Sequence, residues 1–511
     1  MSIQWPNLVA IVSIASTFAF LSVFWWALQR RREREAYYRH ETMRLLIERA
    51  DASAEAIAAW LRDAEDTEAR RRRDGILLGA FTLCGAGGGT LIALHHKLFR
   101  DDAVPGWISL GIGVAMFLYL FFARKRSHAA MLIACVALAF HAGAAPWKDV
   151  ESIATVEMKR LSIPGMQVVV ARDGKIVYSG AYGLADVEKN VAVTRETRFR
   201  TASVAKSITA TAVMQLAGEG KLDLDAPIQA YCPAFPHRVT ARQLLAHTSG
   251  VRHYAKRGES RGSDHYFTIE DSLKLFKDDP LLFDPGTQFS YTTYGYSVLG
   301  CAIEGASKMP FDEYLQAQIF AGAGMNGSSV DDAFLVTPRR ASFYYTLSAN
   351  DLKGVPPAVA ARAHPGMLLN APFHDTSMKR AGGGLLSTAE DLARFALAFE
   401  GGRLVLPETV QAMWTVQKTS DGKEIATPWG PLGLGWFVRK RGERTEIYTS
   451  GGQIGARASM YVFPEERVVL AVMTNLTNAD IIPMEDRILA LLIPGLVPYR
   501  TAPVDRNLNP E

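Results

Sequence analysis

The chain has 511 residues, a formal net charge of +4 and four cysteines. This length exceeds one ordinary core and allows two or three units. The charge is small and sits beside apolar runs, which excludes a nucleic-acid-binding face, and the absence of CxxC spacing excludes a zinc-finger type of site.

Residues 1–146 read as a membrane region with three or four transmembrane helices, at 8–28, 76–94, 106–123 and 129–146. Leu8–Leu28 is 21 residues without a charge, long enough to span a bilayer. The loop 29–74 holds 12 arginines, and Arg124, Lys125 and Arg126 precede the fourth segment. The positive-inside rule keeps both basic stretches in the cytoplasm. Alternation then puts the N-terminus outside and everything after Pro146 outside. The expectation is a multi-pass protein of the inner (plasma) membrane, with residues 147–511 on the periplasmic or extracellular side and the lipid bilayer as one partner. The fourth segment also reads as an internal signal peptide ending at Ala142-Gly143-Ala144, and that reading exports the same residues. Leu46, Ala50, Ala54, Ile57, Trp60, Leu61 and Ala64 recur at helical spacing, as in an amphipathic helix at the inner surface or a solvated spacer helix.

From Trp147 the composition becomes that of an α/β (α+β) domain. Asp149–Leu161 reads as an amphipathic helix. Gln167–Ala171 and Ile176–Tyr178 flank Asp173-Gly174 and predict a β-hairpin. Residues 201–400 read as mainly helical, with many loops. Strands return at Leu434–Arg439, Glu446–Ser450, Arg457–Phe463 and Val468–Thr474, and Pro483–Leu492 predicts a last helix. Strands at both ends with helices between them imply one antiparallel sheet assembled from the two ends of the domain, with a helical lobe inserted. Cys84 and Cys135 lie in the apolar segments. Cys232 and Cys301 are expected as buried free thiols rather than as a pair. His253, His265, His364 and His374 lack ligand spacing, so neither a metal nor a cofactor is expected.

The stretch that carries chemistry is Thr201-Ala202-Ser203-Val204-Ala205-Lys206-Ser207, which opens a helical run to Gly218. Ser203 and Lys206 are three residues apart and share one helix face. A serine hydroxyl needs a base beside it, and a lysine serves when burial disfavours its ammonium form. The first helical turn adds backbone N–H groups for a developing oxyanion. A second Ser-x-x-Lys, Ser420 to Lys423, encloses Asp-Gly and reads as a turn that would not fix this geometry.

Several segments, in order, resemble the serine β-lactamase and penicillin-binding-protein superfamily, in the branch of class C β-lactamases, DD-carboxypeptidases, esterases and D-amino-acid peptidases. Ser203-Val204-Ala205-Lys206 is similar to the first motif and Leu244-Leu245-Ala246-His247-Thr248-Ser249-Gly250 to the branch's LLxHTSG segment. Asp284–Tyr291 followed by Gly295-Tyr296 resembles the second-motif region. Gly382–Leu392 is similar to GGLxST-x-x-DL, and Ser450-Gly451-Gly452 sits on the expected late strand. The resemblance covers roughly 150–495 and nothing before Trp147. It implies acyl transfer through a covalent Ser203 ester, with Lys206 and Tyr291 sharing the proton work. The backbone N–H groups of Ser203 and Gly452 would form the oxyanion hole, Gly451 would let the substrate lie along the strand, and Ser450 would bind substrate or Lys206. His247, beside a helix end, is expected to be a structural hydrogen-bonding residue.

Two departures bear on substrate. Where the family has Tyr-x-Asn this chain has Tyr291-Thr292-Thr293, and where it has Lys-Thr-Gly or His-Thr-Gly this chain has Thr449-Ser450-Gly451. Thr449 removes the cation that faces a substrate carboxylate, so uncharged esters or amides are expected to be turned over better than β-lactams or D-Ala-D-Ala ends. Arg457, beyond Gly452 on the next strand, is the residue that would restore such a cation. The expected partner is a small-molecule or peptide substrate and not a nucleic acid. The alternative is a catalytically weak penicillin-binding or ligand-recognition module, in which Thr293 and Thr449 leave a pocket without turnover.

Overall fold

The structure is a computed structural model, and it describes residues 147–499 apart from 255–258, 260–261, 350, 353–360 and 478. The apolar segments, the arginine-rich loop and the helical pattern at 46–64 lie outside the described residues. Among the described residues no helix is long and apolar enough to cross a membrane.

The domain opens with helix α1 (Trp147–Leu161). Strands β1 (Gly165–Arg172), β2 (Lys175–Asp186) and β3 (Val191–Ala192) follow. β1 and β2 form the expected hairpin, in which Asp173 and Gly174 both take positive φ, 53° and 77°. A two-residue loop with this geometry matches the right-handed strand twist. The lobe contains helices α2 (Ala205–Gly218), α3 (Tyr294–Ser307) and α4 (Ala389–Glu400). The chain returns to the sheet with β4 (Phe437–Arg441), β5 (Arg444–Gln453), β6 (Ala456–Phe463) and β7 (Val468–Thr474), and ends in helix α5 (Ile482–Leu492).

The seven-stranded sheet runs β4-β5-β6-β7-β1-β2-β3, and its named pairs are antiparallel. β7 from the C-terminal end pairs with β1 from the N-terminal end, with Val469 opposite Ala171. The expected sheet built from both ends is therefore present. Both faces are covered. Met166, Val168, Leu470 and Val472 face one core, with α1 and α5, while Val169, Ala171, Ala471 and Met473 face the other, with the helical lobe. This is why β1 and β7 are continuous apolar runs and do not alternate.

Two expectations need correction. The strand expected at Leu434–Arg439 begins only at Phe437. Gly435 has φ 78° and its carbonyl accepts from Ser207 Oγ at 2.6 Å, so residues 434–436 turn away to dock on α2 before the strand starts. Cys232 and Cys301, expected as free thiols, form a disulfide. It ties the segment after Ile228–Ala230 to the middle of α3. Both cysteines are buried, and burial alone reads the same for a thiol and a disulfide.

Candidate active site

Ser203 lies in a short 3₁₀ turn, Ala202–Val204, that leads straight into α2. Ala202 has φ 46°, a conformation that a residue with a β-carbon rarely takes. The turn is held by Thr201 N–H, which donates to the Leu385 carbonyl at 2.9 Å. α2 is buried on nearly every side, as expected of the central helix of a lobe. Two of its polar residues point to carbonyls, with Thr209 Oγ1 donating to Ala381 at 2.7 Å and Thr211 Oγ1 to Ser207 at 2.8 Å.

One turn along α2, Lys206 is buried. Its Nζ donates to Ser203 Oγ at 2.9 Å, to Thr293 Oγ1 at 3.1 Å and to the Gly382 carbonyl at 2.7 Å. Tyr291 Oη donates to the same Ser203 Oγ at 2.8 Å, and Lys206 Nζ lies 4.8 Å from the centre of the Tyr291 ring. The serine oxygen thus sits between a lysine and a phenol. Thr293, where the family has asparagine, keeps a contact to the lysine.

Tyr291 is delivered by a loop clamped by the His247–Gly250 turn. Ser290 N–H donates to the His247 carbonyl at 2.9 Å and Gly286 N–H to the Thr248 carbonyl at 2.7 Å. His247 Nδ1 accepts from Thr292 N–H at 3.1 Å, and its ring lies 4.5 Å from that of Tyr291. Burial, then the Lys206 charge, holds the His247 imidazole well below the usual histidine pKa, so the ring stays neutral and keeps its acceptor. His247 is the structural hydrogen-bonding residue that its place at a helix end implied. His253 was not singled out by sequence. Its Nδ1 accepts from Thr293 N–H at 3.2 Å and its ring meets Tyr291 edge-on at 5.6 Å. A loop histidine without a periodic pattern gives no sequence signal for this.

β5 supplies the other wall. Gly442-Glu443 is a two-residue loop, so Arg441 and Arg444 exchange backbone hydrogen bonds and the even-numbered residues of β5 turn their N–H and C=O groups toward β4. Pairing with β4 stops at Phe437 and Tyr448, whereas pairing with β6 runs on to Gln453 and Ala456. Ser450 and Gly452 therefore present backbone groups at an open strand edge. A β-carbon at Gly451 would lie 2.2 Å from Ser203 N. Only glycine lets the strand come this close to the nucleophile turn. Ser203, Tyr291, Ser450, Gly451 and Gly452 line one cleft with Trp429, Tyr448 and Arg457. Thr449 is buried and, alternating with Ser450, projects from the side of β5 that meets the nucleophile turn. The aromatic wall comes from loops and strands far apart in sequence and was not expected.

The GGLxST-like segment divides into two jobs. The Gly382 carbonyl receives Lys206, and Thr388 caps α4 by accepting from Asp391 N–H at 3.1 Å. Among the described residues no group of histidines, cysteines and acids could hold a metal ion.

Residues 150–492 match the Beta-lactamase family model. The chain belongs to the beta-lactamase family. It is 32% identical to the serine beta-lactamase-like protein LACTB, mitochondrial, of Homo sapiens, over 59% of this chain and 69% of that one. It is 30% identical to esterase EstB of Burkholderia gladioli, over 53% of this chain and 75% of that one. The penicillin binding protein from Bacillus halodurans superposes with a TM-score of 0.55 at 25% identity, covering 66% of this chain and 98% of that one. The members thus include an esterase and a penicillin-binding protein, which makes a β-lactamase-fold serine hydrolase the coarse class of this chain.

Proposed function

We propose that the protein is a membrane-anchored serine hydrolase that acts through an acyl-Ser203 intermediate on an ester, amide or peptide. The observation that carries this reading is the double contact on Ser203 Oγ, from Lys206 Nζ at 2.9 Å and from Tyr291 Oη at 2.8 Å. Once the Tyr291 phenol has given up its own proton to become a phenolate, Ser203 Oγ attacks the substrate carbonyl carbon, and the serine proton passes to Tyr291 Oη. The Lys206 ammonium stabilises the negative charge through which Tyr291 takes that proton. The carbonyl oxygen becomes an oxyanion held by the N–H groups of Ser203 and Gly452. The intermediate collapses, the bond to the leaving group breaks, and Tyr291 returns the proton to the leaving group. Water then adds to the acyl-enzyme carbonyl, losing its proton to Tyr291, and Ser203 leaves reprotonated. Ser450 lies where it can hold the substrate along the strand edge. Thr293 keeps Lys206 in place, which supports turnover over a recognition module. The bilayer-length apolar runs and flanking arginines support anchoring in the plasma membrane, with the domain on the periplasmic or extracellular side.

A fluorophosphonate probe tests the nucleophile. Wild type should gain one adduct, located on Ser203 by mass spectrometry. Ser203→Ala should gain none, with a stability change of at most about 1 kcal/mol. An adduct that persists in Ser203→Ala, on Ser420 or elsewhere, rules the assignment out.

A further inference from the structure

We infer that a second cleft, between the Arg195–Arg198 segment, Arg339 and the first turn of α4, is a binding site for a phosphate group. Its volume is about 360 Å³, within the range of small-molecule sites. It shares no lining residue with the cleft at Ser203. Its place follows from a strand pair. Phe199–Arg200 pairs antiparallel with Leu385–Ser387, and Phe199 stands opposite Ser387. At one end of this pair Thr201 bonds to Leu385 and carries the nucleophile turn. At the other end Arg198 and Thr388 open onto the second cleft.

Backbone pairing brings three arginines together there. Arg198 N–H donates to the Arg339 carbonyl at 2.8 Å, and Ala341 N–H donates to the Arg198 carbonyl at 3.0 Å. Arg195, Arg198 and Arg339 all line the cleft. Arg339 has φ 61°, a conformation that concentrates at ligand-binding sites when a residue with a β-carbon adopts it. The acids nearby are engaged elsewhere. Asp331 pairs with Arg200 and Arg340, at 2.7 Å each. On the facing wall Glu390 and Asp391 pair with Arg394, at 2.6 and 2.8 Å. Asp391 Oδ2 also accepts from Gly327 N–H at 2.7 Å and from Ser328 Oγ at 2.9 Å, and burial pushes its carboxyl up from the usual value. The remaining acid of the lining, Glu196, is exposed. A hydrogen bond from Thr194 holds its carboxyl below the usual value, with smaller help from the charges of Arg339 and Arg195. Among the described residues Arg195, Arg198 and Arg339 make no ion pair. Three guanidiniums thus face one exposed carboxylate on this wall. A carboxylate ligand would engage one guanidinium fork, whereas a phosphate brings about two negative charges and oxygens for several forks. The phosphate can belong to a soluble ligand or to a lipid headgroup, for which exposed Phe334, Leu335 and Val336, just before Arg339 in the chain, offer apolar surface.

Isothermal titration calorimetry on the full chain in a maltoside detergent tests the site. The probes are inorganic phosphate and dihexanoyl phosphatidic acid, with chloride matching the ionic strength. Tighter binding of the lipid assigns the headgroup, and equal or tighter binding of inorganic phosphate assigns a soluble ligand. In either case Arg198→Gln with Arg339→Gln should weaken binding by about tenfold or more, and lysine at both positions should recover part of it. Arg195→Gln, on the exposed lip, should weaken binding in the same direction with a single surface change. Arg238→Gln with Arg403→Gln removes the same charge from exposed positions outside the cleft and should bind as wild type does. An unfolding midpoint at the wild-type value shows that each variant is folded. Three results overturn the site: no heat from either probe at millimolar concentration, affinities within about twofold of wild type in both cleft variants, or an equal loss in the Arg238 and Arg403 control.

Discussion

Lys206 Nζ reaches groups on three parts of the fold, Ser203 Oγ, Thr293 Oγ1 and the Gly382 carbonyl. A buried ammonium is tolerated only with such partners, because desolvation without them costs several kcal/mol. Thr293 offers an oxygen where the family offers an amide, and one oxygen suffices as an acceptor for the lysine. Thr293→Val keeps the shape and removes the acceptor. It should cost about 1–3 kcal/mol of stability and lower kcat on an ester by on the order of tenfold, with a smaller change in KM. Denaturant unfolding and steady-state kinetics check this, and kcat at the wild-type level would show that the hydroxyl has no part in holding Lys206. Ser203, Lys206 and Tyr291 were legible in sequence because spacing and local motif place them.

Among the elements, α3 carries the site loop at its N-terminal end, and the Cys232–Cys301 disulfide holds its middle to a segment 69 residues earlier. Closing a loop of that size lowers the entropy of the unfolded chain, a stabilisation of up to about 4 kcal/mol on the chain-entropy model. Cys301→Ser should therefore unfold at a lower guanidinium concentration than wild type. Reductant should move wild type to the variant's midpoint and leave the variant where it is. Equal midpoints for oxidised wild type and Cys301→Ser would show that the bond contributes nothing. The pairing could not be read from spacing, because it depends on how the 228–232 segment packs against α3. The elements themselves were largely readable. The β1–β2 hairpin followed from Asp-Gly between apolar runs, and β7 was found at its expected bounds, Val468–Thr474.

For the molecule as a whole, the described domain is a sheet covered on both faces, with the site where β5 outruns β4 and meets α2. The proposed anchoring adds a direction. Basic residues are held back from translocation, so the arginine-rich loop 29–74 should stay in the cytoplasm and the domain should face outward. Cysteines placed at Ala58 and Ser348 in a chain otherwise free of reactive thiols test this in intact cells with a membrane-impermeant maleimide. Ser348 lies on the exposed surface and its cysteine should be modified, whereas the one at position 58 should react only after lysis. The reverse pattern would overturn the orientation.

Periodicity, turn residues and short motifs are local properties that survive in one dimension. They were enough for the fold class, for the place of the domain's main strands and helices, and for the Ser203, Lys206 and Tyr291 trio. The disulfide, the backing of Tyr291 by His247 and His253, and the aromatic wall came from the folded chain alone. Each of these is a contact between segments distant in the chain, and its existence depends on strand register and on the space left by Gly451 and Gly452.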